Sequence, residues 1–329
     1  MRIAIDAMGG DHAPKVVVEG ALEAAREWKD VEIILVGDAA AIEVYLSNRP
    51  DNIKIVHAAE VIEPDDEPVK AVRRKKDASM VVAGRLVHEK QADAMISAGN
   101  TGALMTTGLL IVGRINGIER PALAPMIPTM DGNGVLCLDM GANMDATAEQ
   151  LSQYAIMGSI YRTKVDGIAK PRVGLLNVGT EAMKGNELTK AAYPLLEQAP
   201  IHFIGNVESR EILRAKCDVI VCDGFAGNIM LKSIEGAASA IFSALREEFT
   251  SSVLNKLAAA ILRPGITKFR KKMDYNETGA GPLLGIDGLV LKSHGSSNAT
   301  AIKNAVRQAR IAIQNDLVGA ISMEINDGK

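Results

Sequence analysis

The chain has 329 residues, a formal net charge of -3, 47% apolar residues and only 3% aromatic ones. That length suits a single domain of two intertwined halves over residues 1–329, with a core of Ala, Val, Ile, Leu and Met. The near-neutral balance excludes bulk nucleic-acid binding, and no apolar run approaches the roughly 18 residues that a membrane-spanning helix needs.

In chain order, buried-strand patterns fall near 2–6, 31–37, 53–57, 92–98, 122–127, 134–139, 172–178, 201–204, 218–222 and 288–292. Helical patterns lie among them at 14–28, 67–88, 101–113, 147–164, 187–198, 226–249 and 298–318. This alternation predicts an α/β fold on a mixed, mostly parallel sheet covered by helices on both faces. The stretch 121–138, interrupted at 131–134 by DGNG, reads as a local antiparallel pair around a tight turn. Residues 251–273 depart from the pattern. They read as a protruding amphipathic hairpin of two short helices broken at 263–265, where proline and glycine turn the chain. Val253, Leu254, Leu257, Ala258, Ile261 and Leu262 share one face of its first helix. In the second, Ile266, Phe269 and Met273 run beside Lys268, Arg270, Lys271 and Lys272. Residues 1–6 meet an acidic side chain too early for a signal-peptide core. Cys137, Cys217 and Cys222 form no CxxC pair and are expected as buried thiols of a cytosolic protein.

Five apolar runs end in small loops rich in glycine and asparagine: 3–11 (IAIDAMGGD), 94–103 (AMISAGNTGA), 135–143 (VLCLDMGAN), 173–186 (VGLLNVGTEAMKGN) and 218–228 (DVIVCDGFAGN). Ligands of open α/β sheets bind beyond the carboxyl ends of the strands, and glycine there lets a ligand approach the backbone. Five such crests suggest one shared anion site. Gly9 and Gly10 can turn amides toward a phosphate at a helix N-terminus, although Asp6 and Asp11 repel an anion unless they orient a donor. His12 is such a donor or a surface cap. In the second loop Ser97, Gly99, Asn100 and Thr101 form an anion cradle, or Asn100 and Thr101 serve as an ordinary N-cap. Asp139 and Asn143 either touch substrate or hold neighbouring loops together. Lys184, flanked by Gly179, Thr180, Glu181, Gly185 and Asn186, can set a compact positive charge against phosphate or a developing oxyanion. Its bland alternative is a solvent-facing loop lysine. Asn228 is read as a donor oriented by Asp223, with Phe225 against an apolar part of the substrate, or as an N-cap. Ser296 or Ser297 is expected to cap the last long helix. A P-loop, a GxGxxG loop, HExxH and a GxSxG elbow are all missing, so no cofactor or metal is expected.

Taken together and in this order, these loops resemble the PlsX family of phosphate acyltransferases, the acyl-carrier-protein:phosphate transacylases of bacterial phospholipid synthesis. The likeness runs end to end and includes 294–297 (HGSS). It implies a three-layer α/β/α sandwich similar to phosphotransacetylases and the isocitrate dehydrogenase group. It further implies conversion of a fatty acyl thioester and inorganic phosphate into acyl phosphate and free acyl carrier protein. A homodimer and peripheral membrane association belong to the same resemblance, and Lys184 and Asn228 lie in the motifs that would supply catalytic groups, with His12 read beside them as a supporting donor. The apolar and cationic faces of 251–273 fit either an interfacial helix on anionic lipid or a dimerisation or core-packing hairpin. The chemistry is compatible with the missing triad, because phosphate is already ionised and a thiolate leaves readily. Two alternatives stand beside it: a phosphotransacetylase acting on short acyl-coenzyme A, and a non-catalytic phosphate- or lipid-surface-binding protein. The basic tract Arg73–Lys76 either steers an acidic carrier protein or is a solvated helix face.

Overall fold

The computed structural model describes residues 1–272 and 279–327, without the side chains of 270–272 and 327. Met273 and the side chains of Arg270, Lys271 and Lys272, which the sequence places on the hairpin, therefore lie outside the described residues. The first part of the chain runs β1 (Arg2–Asp6), α1 (Lys15–Glu27), β2 (Glu32–Gly37), α2 (Ala39–Glu43), β3 (Ile53–His57), α3 (Pro68–Arg74), α4 (Ser79–His88), β4 (Ala94–Ser97), α5 (Thr101–Thr107) and β5 (Ala122–Leu123). The middle supplies β6 (Met126–Ile127), β7 (Val135–Leu138), α6 (Ala148–Lys164), β8 (Arg172–Asn177), α7 (Glu187–Gln198), β9 (His202–Glu208), α8 (Ser209–Ile212), β10 (Val219–Val221), α9 (Gly224–Thr250) and α10 (Val253–Lys272). The chain ends with β11 (Ala280–Leu284), β12 (Leu289–Ser293), α11 (Ala299–Gln314) and α12 (Leu317–Asp327).

The strands divide between two mixed, mostly parallel sheets, ordered β3-β2-β1-β4-β12-β11-β5 and β6-β7-β10-β8-β9. In the first sheet the side chains alternate between two apolar layers. Ile3, Ile5, Ile33 and Leu35 pack with α1 and α11, whereas Ala4, Ile34, Val36 and Met95 pack with α3, α4 and α5. The second sheet repeats the division: Leu136, Leu138, Val173 and Val219 face α6 and α7, and Cys137 and Ile220 face Met230 of α9. Burial on both faces explains why the strands read as unbroken apolar runs rather than alternating ones.

Several boundaries differ from the sequence reading. The single helix expected at 67–88 is divided, because Asp77 binds the amide of Ala59 and Glu60 bridges to Ala78, which pulls 75–78 out of helical geometry. The expected helix at 101–113 changes to a π-helical turn at Gly108–Val112. β11 was hidden by its composition, since Gly281 and Pro282 look like a loop, yet it pairs with β12 and β5 on its two sides. β6 and β7 form the expected antiparallel pair, but β5 joins the other sheet. Finally, the break expected at 263–265 does not occur. α10 runs through Pro264 as one helix and packs back on α9, with the rings of Phe242 and Phe269 6.1 Å apart. Tertiary contact overrides the local cost of the proline, and the helical pair here is α9 with α10.

Two glycines make the packing testable. A Cβ on Gly20 in α1 would stand 2.5 Å from the carbonyl oxygen of Ala299 and 2.6 Å from Cβ of Ile302. Gly236 in α9 has nothing within 4 Å. Alanine gains roughly 1 kcal/mol over glycine in a helix, whereas overpacking against backbone costs roughly 1–3 kcal/mol. Gly236→Ala is therefore expected to raise, and Gly20→Ala to lower, the urea-unfolding free energy. Equal effects of one sign would show that α1 and α11 are not in close contact.

Candidate functional site

Asp6 closes β1 and is buried. Its carboxylate accepts from the hydroxyls of Ser79 and Ser97, both at 2.6 Å, and from the amide of Met8 at 3.3 Å. Burial still raises its pKa above the ordinary carboxyl value. Asp6 thus fastens the end of β4 and the start of α4 to its own loop. A Cβ on Gly9 would lie 2.6 Å from Asp6 Oδ2 and 2.8 Å from the amide nitrogen of Gly99, so glycine is what lets the two crests touch. Gly10 has φ 110°, and the next amide, of Asp11, donates to the carbonyl of Gly295 at 2.8 Å. His12 is exposed and lines a small cleft with Gly9, Gly10, Ala98, Gly295 and Ser297.

Asn100 caps α5 by accepting from the amide of Ala103 at 3.0 Å. Its side-chain N–H groups donate to the carbonyls of Glu63, Pro64 and Asp66. The donor expected to face an anion is therefore spent on the 63–66 segment, while Thr101 is exposed at the first position of the helix.

Asp139 closes the second sheet's β7 in the same way. It is buried and accepts from the amide of Leu123 at 2.9 Å and from both the amide and the side chain of Asn143. Burial pushes its pKa up to about 6. Asn143 also donates to the carbonyl of Pro121 at 2.7 Å, and its own carbonyl accepts from the amide of Gly224 at 2.8 Å. Asp139 and Asn143 thus tie loops together. The helix expected to begin near Asn228 starts at Gly224, capped by Asp223, which accepts from the amide of Ala226 at 2.8 Å. Asp223 consequently caps a helix rather than orienting Asn228. Asn228 is half-buried in the second turn, beside Gly141, and Phe225 is 61% exposed.

In the fourth loop, Asn177 donates to the carbonyl of Lys184 at 3.1 Å, Asn206 donates to the carbonyl of Glu181 at 2.8 Å, and Asn186 caps α7. A Cβ on Gly179 would meet Glu181 and Lys184 at 3.0 and 3.2 Å, so the loop folds on itself. Thr180, Glu181 and Lys184 are exposed. Among the described residues no hydrogen bond joins Lys184 to the Asp6 or Asp139 groups.

Register assembles the crests. Ile5 pairs with Ile96, and Ser97 pairs with Lys292, so the first and second loops and 293–297 leave one sheet edge together. Val221 pairs with both Leu138 and Leu175, which gathers the other three loops at one edge of the second sheet. The edges are connected: the amide of Met140 donates to the carbonyl of Leu123 of β5, and the charges of Glu235 and Lys232 on α9 act on the His294 ring.

Sequence reading missed Lys292. It lies inside the apolar run of β12, where a lone lysine is the signal, yet it looks like the polar end of a strand. Burial pushes its pKa down to about 8 despite the charges of Asp6 and Asp11. Ser296 and Ser297 do not cap α11; Asn298 does. The three cysteines are buried free thiols, and burial raises all of them, Cys217 to about 12, so none offers a ready thiolate.

A family model described as fatty acid synthesis protein matches residues 1–319. The chain belongs to that family. It is 60% identical over 99% of its length to the phosphate acyltransferase of Brevibacillus brevis, covering 97% of that protein. It is 54% identical to that of Bacillus subtilis, covering 100% of this chain and 99% of the relative. Among solved structures it resembles a phosphotransacetylase from Streptococcus pyogenes, with TM-score 0.59 and 18% identity over 95% of this chain and 94% of the other. A branched-chain phosphotransacylase from Enterococcus faecalis gives TM-score 0.54 and 15% identity over 95% and 99%. At those identities the likeness concerns the fold, which is the expected three-layer α/β/α sandwich.

Asp139 supplies a test of the second edge. A raised carboxyl pKa favours the folded state below the unfolded value near 3.8, and that contribution is lost as pH rises through about 6. The stability of the native protein relative to Asp139→Asn is therefore expected to fall by about 2 kcal/mol between pH 4 and pH 7. Urea unfolding across that range measures it, and a flat difference would mean that Asp139 is solvated.

Proposed function

We propose that this protein is a phosphate acyltransferase that converts fatty acyl-[acyl-carrier-protein] and inorganic phosphate into acyl phosphate and free carrier protein. The observation that carries the reading is near-full-length identity of 54–60% to the phosphate acyltransferases of Brevibacillus brevis and Bacillus subtilis. A phosphate oxygen attacks the thioester carbonyl, the O–C bond forms, and the C–S bond breaks as the thiolate departs and takes a proton from solvent. Because the nucleophile is already ionised, the protein's task is orientation and stabilisation of the oxyanion.

In this reading the first edge, where the 6–12 and 97–102 loops meet, seats phosphate through backbone amides and His12. The second edge presents Lys184 and Asn228 to the thioester oxyanion, with Gly179, Thr180, Glu181 and Asn186 shaping the lysine's loop. Phe225, exposed at the start of α9, touches the acyl chain. The buried cysteines leave no thiol to carry the acyl group, in keeping with direct attack. Lys184→Ala is expected to lower kcat by about a hundredfold or more, the scale of one lost oxyanion donor. The assay follows thiol release and acyl phosphate from palmitoyl carrier protein with and without phosphate. Release that does not require phosphate would sink the proposal.

We extend the proposal to the hairpin. Val253, Leu254, Leu257, Ile261 and Leu262 on α10 are each more than half exposed, and no described helix is long and apolar enough to cross a membrane. An apolar stripe of this kind suits the interface of an anionic bilayer, where a long-chain acyl phosphate would be delivered. That favours a long-chain product over a short acyl-coenzyme A substrate. The protein would act there as a homodimer, with Arg73 and Arg74 at the end of α3 steering the acidic carrier. The double change Leu254→Glu and Ile261→Glu is expected to release the protein from anionic liposomes while its unfolding transition stays in place. Loss of dimers instead would assign the stripe to subunit packing.

A further inference from the structure

We propose that Lys292 and Ser297 form the phosphate subsite of this protein, between the N-termini of α1 and α11; the inference rests on the acyltransferase reading. Four observations converge. Lys292 stands in register with Ser97 at the carboxyl edge of the first sheet, and its Nζ reaches only carbonyl oxygens, those of Ala98 at 3.4 Å and of Ser293. It makes no ion pair among the described residues, so its charge is turned toward the loops without being consumed by a carboxylate at contact distance. Ser297 is only 4% exposed, its Oγ has no hydrogen-bond partner, and it lines the small cleft with Gly9, Gly10, His12, Ala98 and Gly295. A buried hydroxyl without a partner is costly unless a ligand completes it. Ala98 is common to both features, walling the cleft and accepting from Lys292. Among the described residues nothing accepts from the amides of Gly10 and His12, which precede α1, and α11 begins two residues after Ser297.

A cation, a hydroxyl, free amides and two helix N-termini thus gather at one crest, Ser297 and the glycines on the cleft itself and Lys292 behind Ala98, and these are the donors of a phosphate cradle. Asp6 and Asp11 lie close enough to act on Lys292, but Asp6 is saturated by Ser79, Ser97 and the amides of Met8 and Gly9. The competing role for Lys292 is to neutralise those two carboxylates and nothing more.

The two roles separate in kinetics. Lys292→Gln and Ser297→Ala are each expected to raise the KM for phosphate about tenfold to a hundredfold, the scale of a lost hydrogen bond to a charged group, with a smaller change in kcat. Lys292→Arg should recover part of the phosphate affinity. Calorimetric titration of inorganic phosphate into the full-length protein without acyl donor should show the same losses, which gives a readout independent of turnover. Unchanged phosphate KM and binding in both variants, with lowered stability in Lys292→Gln alone, would reduce Lys292 to a charge neutraliser and overturn the subsite. If the native protein bound phosphate through these residues yet released no thiol, the acyltransferase reading would fail and the subsite would stand.

Discussion

Two buried carboxylates, each at the carboxyl end of a parallel strand, hold the working surface of this fold together. Asp6 collects two serine hydroxyls and two amides from its own and neighbouring segments. Asp139 collects the amide of Leu123 and both donors of Asn143, whose carbonyl then receives Gly224. Each is expensive to bury as a charge, and in each case donors at the loop ends offset part of the expense and leave the carboxyl pKa raised. The result is a pair of stiffened crests whose amides and side chains are fixed before any ligand arrives, which is the condition for electrostatic preorganisation.

That arrangement is consistent with the proposed transfer, which uses no cysteine nucleophile. The three cysteines are sealed in the core with raised pKa values, so the thiol chemistry belongs to the substrate. What remains near the crests is positive charge of two kinds. Lys184 sits on an exposed loop that folds on itself, whereas Lys292 stands near the carboxyl end of β12 and donates to carbonyl oxygens.

Much of this was legible in the residues. The five glycine-rich ends of apolar runs marked the strand termini, because a buried parallel strand must be apolar throughout and its end must be small where loops meet. The tying role of Asp139 and Asn143 was one of two readings that the sequence left open. Other features were hidden for identifiable reasons. β11 carries glycine and proline, so its pairing on two sides depends on partners far away in the chain. Asn100 looked like an anion donor because nothing local reveals that Glu63, Pro64 and Asp66 turn three carbonyls toward it. Lys292 looked like the end of a strand, since its significance comes from Ala98, Asp6 and Asp11, all nearly two hundred positions or more away. The proline in α10 is overruled by packing on α9 that no local rule contains.

The most direct test of direct attack by phosphate is a rapid-mixing experiment with phosphate-free protein in excess over palmitoyl carrier protein. The account predicts no burst of free thiol and no gain of an acyl group in the protein's intact mass until phosphate is added, when release follows in a single phase. A stoichiometric burst in the absence of phosphate, with an acylated side chain in the mass spectrum, would contradict it.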